Sequence, residues 1–236
     1  MSNLFAFLTI LLLGSLVESK DAPPGSLPFV ASIQIDGKHV CSGTIFPNNW
    51  VITAAEYVYD KSSESLTIVV GTVDLEKPGS NYSVAEIVVH PKYDYRDLAY
   101  DLALLRVGER MEYSDKVYPI FPAHMKTEEK ANLLAAGWRL NKDEDPSSKL
   151  QVKNVTAITN EECKAKLRIP ISDSVVCTSD NDGDKPNNYI GDTGGPLVEG
   201  DVLAGVIIIM FKPQTRPGLS ARVFDANEWI NKTLRS

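Results

Sequence analysis

Few residues in this chain could do chemistry, and Thr193 stands out among them. It lies in the glycine-rich stretch "NNYIGDTGGPLV", Asn187 to Val198. A hydroxyl in such a turn becomes a nucleophile only when a base takes its proton. The best-known arrangement needs a hydroxyl, a histidine that takes and returns the proton, and a buried aspartate that orients the histidine. The chain has three histidines, His39, His90 and His124. It has three cysteines, Cys41, Cys163 and Cys177, with no CxxC or Cys/His cluster, so neither a metal site nor a cofactor is expected. Three is odd: at least one thiol is unbridged or links chains, and spacing alone does not say which.

The elements that must position these groups read as strands. The runs "FVASIQI", "LTIVV", "YSVAEIVV", "LALLRV", "LQVKNVTAI" and "VLAGVIIIM" are rich in β-branched residues. Gly, Pro, Asn and Ser clusters separate them, the pattern of an all-β sandwich or barrel pair. "FVASIQI" ends at Asp36-Gly37, a hairpin turn. One helix is predicted at the C-terminus, in "DANEWINKTLRS". There Asp225 would be the N-cap and Glu228 would complete a capping box, with Trp229 and Ile230 facing the body of the domain. "KDEDPSSK" reads as a solvated loop.

The 236 residues carry a formal charge of −7, which argues against nucleic acid and anionic membranes as partners. The N-terminal run "NLFAFLTILLLGSLV" has the length of a secretory signal and is short for a membrane span. Residues 1–19 are therefore expected to be a signal peptide cut after Ser19, and the mature chain to be extracellular. Secretion permits disulfides.

Six blocks, in order, resemble the chymotrypsin/trypsin-like serine protease family. They are "PPGSLPFVASIQ", "CSGTIFPNNWVITAAE", "YDLALLRV", "AAGWRL" with "LQVKNVTAITNEEC", "GDTGGPLV" and "RPGLSARV". The resemblance implies an all-β fold of two six-stranded antiparallel β-barrels, about residues 28–118 and about 119–223, with a C-terminal helix over about 225–234. One domain would then span residues 20–236.

The same resemblance assigns the catalytic positions. Asp101 matches the family's aspartate. Glu56, after Ala54-Ala55, stands in the histidine position, and Thr193 in the serine position. An unperturbed Glu titrates near roughly 4.3, against roughly 6.5 for His. Ionised Glu56 would be a feeble base and could not protonate a leaving amine. It would also face Asp101, and adjacent carboxylates repel. Thr193 adds a β-methyl that restricts χ1. Losing triad members typically leaves about 10³–10⁴-fold over water. His39, just before the first barrel's cysteine, is expected to be structural, and His90 and His124 to lie on peripheral loops.

The pocket positions also depart from the family's pattern. Asn187 falls at the base of the specificity pocket. Ile208-Ile209-Met210 replaces the strand that pairs with substrate, with Met210 at the pocket mouth and Ile208 in place of a serine that holds the aspartate. Gly218 falls on the late pocket strand. Gly191 and Thr193 are the oxyanion-hole equivalents, and Asp192 is the partner of the family's freed N-terminus, for which "LVESKDA" offers no obvious substitute. The resemblance pairs Cys163 with Cys177. Tyr57 occupies the place of Cys41's usual partner, so Cys41 is expected as a buried thiol rather than a link between chains. Tyr189 stands at another family cysteine position. Sequons at Asn81, Asn154 and Asn231 are candidate glycosylation sites.

The expectation is a secreted, non-catalytic protease homologue that binds an extracellular protein: a protease, a protease substrate or an inhibitor. It would serve as cofactor, decoy or regulator of a protease pathway, or as a venom or gut component. The alternatives are a weakly active endopeptidase using Thr193 and a secreted storage or structural protein on the same fold.

Overall fold

A computed structural model describes residues 20–138, 148–179, 193–209 and 216–236. The first barrel consists of β2 (Val30–Ile35), β3 (Lys38–Phe46), β4 (Trp50–Thr53), β5 (Leu66–Val70), β6 (Ser80–Val89) and β7 (Ala103–Val107). These close in the order β2-β3-β4-β7-β6-β5. Asp36 and Gly37 join β2 to β3 with φ of 51° and 73°, the two positive values that a tight primed hairpin turn requires.

The second barrel is formed by β9 (Asn132–Gly137), β10 (Gln151–Ile158), β11 (Val175–Ser179), β12 (Pro196–Glu199), β13 (Val202–Ile209) and β14 (Gly218–Arg222). Antiparallel pairing runs β9-β10-β11-β14-β13-β12 and returns from β12 to β9. Two short strands join this sheet. β1 (Lys20–Asp21) pairs with the end of β10 that β11 leaves open, and β8 (Phe121–Pro122) runs parallel to β13. The helix α1 (Asn160–Leu167) is capped by Thr159, whose hydroxyl accepts the Glu162 N–H at 3.1 Å. It carries Cys163, which is bridged to Cys177 on β11.

Strand periodicity sets where the core lies. Along β4, Val51 points into the first barrel, while Trp50 and Ile52 point toward the seam between the barrels. Along β13, Ile207 enters the second barrel, while Val206 and Ile208 enter the same seam. Strands buried on both faces read as unbroken apolar runs rather than alternating ones. The seam also takes Phe46 and Leu104 from the first barrel and Leu219 and Ile230 from the other side.

The C-terminal helix corrects one expectation. Asp225 is not the N-cap: it lies within a 3₁₀ turn, Phe224–Ala226, and α2 (Asn227–Thr233) begins after Ala226 with no side-chain cap. The Asp225 carboxylate is instead paired with Arg222 at 3.3 Å and Lys126 at 3.4 Å. A carboxylate held by two cations is not available to cap. Ile230 is fully buried and Trp229 packs against the same core.

Candidate functional site

Glu56, Asp101 and Thr193 meet at one end of the seam, each delivered by a separate segment. Glu56 lies on a 3₁₀ turn, Ala55–Tyr57, that follows β4 directly. Asp101 stands just before β7. It follows Leu98 and Tyr100, both left-handed at φ 59° and 49°, a conformation costly for side chains of this size. The Glu56 backbone N–H donates to Asp101 Oδ1 at 2.9 Å, and the Ala55 N–H also bonds this carboxyl.

Thr193 is fixed by the turn that follows it. The Thr193 carbonyl accepts the Ser42 N–H at 3.1 Å, tying the turn to the first barrel. The Gly194 N–H donates to the Ile207 carbonyl at 2.7 Å, and the Ile207 N–H to the Gly195 carbonyl at 2.8 Å, tying it to the second. Gly194 has φ of 87°, and a Cβ there would fall on the Ser42 carbonyl oxygen and the Thr53 hydroxyl. Only glycine meets both demands.

The electrostatics differ from those of a histidine–aspartate pair. Asp101 is completely buried, and its Oδ2 has no hydrogen-bond partner among the described residues. Burial, and then the neighbouring Glu56 charge, push its pKa up to about 7 against the pull of the two backbone N–H groups. Burial also raises the Glu56 pKa, and a hydrogen bond with the Thr193 side chain pulls it back. The Thr193 hydroxyl donates to the Ile208 carbonyl at 2.8 Å. A hydroxyl has one proton to give. The Thr193 hydroxyl lies between the Ile208 carbonyl and the Glu56 carboxyl, and its bond to the carboxyl favours the ionised form of Glu56. Ile208 itself is fully buried in the seam and offers Asp101 no side-chain donor.

No histidine is placed to act as base. His39 Nδ1 lies 2.8 Å from Ser32 Oγ, and its ring tilts against Trp138. His90 is buried, stacked 4.5 Å from Tyr100 and edge-on to Trp229 at 4.8 Å. Burial, aided by the Lys92 charge, lowers its pKa to about 4. His124 is exposed, far along the chain on the segment after β8. Gly218 is buried at the start of β14, paired with Thr178. Asn187, Tyr189, Gly191, Asp192 and Met210 lie outside the described residues, as do residues 1–19 and most of "KDEDPSSK". Cys41 is a buried thiol, 3.8 Å from Thr53 Oγ1. Asn81, Asn154 and Asn231 are all exposed.

Two tyrosines beside the carboxyls escaped the sequence reading. Tyr59 packs against Tyr93 at 6.0 Å between ring centroids. Burial, followed by the charges of Asp101 and Glu56, raises the Tyr93 pKa. Tyr59 lies three residues beyond Glu56, the one local sign that could have drawn attention to it.

With this architecture in view, the relatives can be placed. The sequence profile of the Trypsin family matches residues 16–230, and the chain belongs to that family. It is 30% identical to Trypsin 5G1 of Aedes aegypti, over 93% of this chain and 85% of that one. It is 28% identical to Duodenase-1 of Bos taurus, over 94% and 90%. Among solved structures it is similar to neuropsin, a serine protease expressed in the limbic system of mouse brain. That match has a TM-score of 0.81 and 25% identity, covering 92% of this chain and 99% of that one.

Proposed function

We propose that this trypsin-family chain is secreted and acts by binding an extracellular protein, without cleaving it. One observation carries the reading: the group that bonds the Thr193 side chain is the Glu56 carboxyl. Acyl transfer needs one residue to remove a proton from the nucleophile and return it to the leaving amine. Ionised, Glu56 is a weaker base toward a hydroxyl than an imidazole; neutral, it cannot take a proton at all. Asp101 adds a second carboxyl where the mechanism needs a fixed negative charge, and burial pushes its pKa up to about 7, away from that charged form.

The setting fits an extracellular protein. The Cys163–Cys177 bridge suits an oxidising compartment. The three exposed sequon asparagines could carry glycans. No helix among the described residues is long and apolar enough to cross a membrane.

The same Thr193–Glu56 bond favours a second reading, a weak endopeptidase in which Glu56 serves as base. Hydrolysis of a fluorescently labelled, unfolded protein decides between them. The expected result is the same background rate for the wild-type chain and Thr193→Ala. A wild-type rate that falls with Thr193→Ala would establish the endopeptidase.

A further inference from the structure

The residues around Glu56 form a corner whose chemistry is specific. The Val58 and Tyr59 N–H groups both donate to the Ala55 carbonyl at 2.9 Å, so residues 55–59 make one helical turn. Side chains three apart on such a turn share a face, which sets Glu56 beside Tyr59. Tyr59 is 59% exposed, and Tyr93 closes the corner from the segment between β6 and β7.

Several neighbouring aromatic and acidic groups are already matched with cations of this chain. Arg96 lies over the Tyr95 ring at 5.7 Å and pairs with Asp94 at 3.1 Å. Lys92 lies over Tyr100 at 5.4 Å. Lys61 pairs with Asp60 at 2.6 Å. Glu56 and the Tyr59–Tyr93 pair are not so matched. Among the described residues no cation forms an ion pair with this half-buried carboxyl, and none lies over either ring. A carboxylate beside two aromatic faces attracts a planar cation by both ion pairing and cation–π contact.

We propose that Glu56, Tyr59 and Tyr93 form a binding site for an arginine side chain of a partner polypeptide, with the guanidinium paired to Glu56 and stacked on Tyr59. Arginine suits it better than lysine because its planar fork can bond a carboxylate while lying flat on a ring. The site rests on the proposed binding function, since the partner's chain must enter the cleft and leave intact.

The test uses the full mature chain and two peptides, acetyl-Ala-Arg-Ala-amide and the same peptide with citrulline, which keeps the shape and loses the charge. Binding is followed by NMR titration, and each sample is then checked for cleavage by mass spectrometry. The arginine peptide is expected to bind at least about tenfold more tightly than the citrulline peptide, about 1.4 kcal/mol. Glu56→Gln should remove that preference and Tyr59→Ala should weaken arginine binding several-fold, whereas Glu199→Gln, in the second barrel, should leave it unchanged. Equal binding of the two peptides, no binding of either, or an unchanged preference in Glu56→Gln would overturn the site. Comparing the peptides on the wild-type chain keeps the test decisive even if a variant misfolds. Cleavage of the peptide would count against the proposed function and leave the binding result standing.

Discussion

At the seam between the barrels, Phe46, Ile52 and Leu104 meet Val206, Ile208 and Leu219, an all-hydrocarbon contact from which water is excluded. At the end of the same seam, Glu56, Asp101 and Thr193 gather on the flanking turns, with one buried carboxyl oxygen unbonded among the described residues. The first region is held by complementary shape, so almost any change costs stability. The second is held by backbone: the N–H groups that bond Asp101, and the glycine turn that fixes Thr193, do not depend on the side chain at position 56. A fold can therefore exchange the chemistry of its cleft while its seam stays under strict constraint.

The largest expected effect tests the seam. Phe46→Ala should destabilise by about 3–5 kcal/mol, as burial and the resulting cavity dictate. Urea unfolding monitored by tryptophan fluorescence measures it, and a loss under about 1 kcal/mol would break the comparison. Next comes the bridge that ties α1 to β11. Replacing Cys163 and Cys177 together by serine should cost about 3 kcal/mol in the chain-entropy picture, read from the same denaturant midpoint.

The cleft should show itself through pH. Asp101 has a folded pKa of about 7, above its ordinary value of 3.8. Across that window the native state holds a proton that the unfolded chain releases, so stability falls as pH rises. The contribution is complete below about pH 4 and lost above about pH 7, with a slope of up to about 1.4 kcal/mol per pH unit. Asp101→Asn should remove this slope, measured as the difference between wild-type and variant unfolding curves from pH 4 to 8. Parallel curves would mean that Asp101 is ionised throughout. The smallest expected effect is Glu56→Gln. It removes one charge beside Asp101, so the Asp101 transition should move to lower pH while overall stability changes by less than about 1 kcal/mol. A larger loss would place Glu56 among the structural supports of the fold.

The scaffold was legible in the sequence because its strands announce themselves. Runs such as "VLAGVIIIM" are apolar throughout, since both faces of β13 are covered, and Asp36-Gly37 supplies the backbone angles of its turn. The convergence of Glu56, Asp101 and Thr193 was expected from the resemblance of the blocks that carry them to the trypsin-like family. Long-range pairings were not legible. The Asp225 carboxylate is captured by Arg222 and Lys126, which no local capping pattern reveals. Tyr93 joins Tyr59 only through the folding of the β6–β7 connection, and the two-residue strand β1 carries no pattern of its own.

The proposed function requires that Thr193, bonded to a carboxyl and donating to Ile208, does not act as an acylating nucleophile. Incubating the purified chain with excess fluorophosphonate, beside Thr193→Ala and active trypsin, and measuring intact masses tests it directly. The account predicts an adduct on trypsin and none on either form of this chain. A stoichiometric adduct on the wild-type chain, mapped to Thr193 and absent from Thr193→Ala, would contradict it.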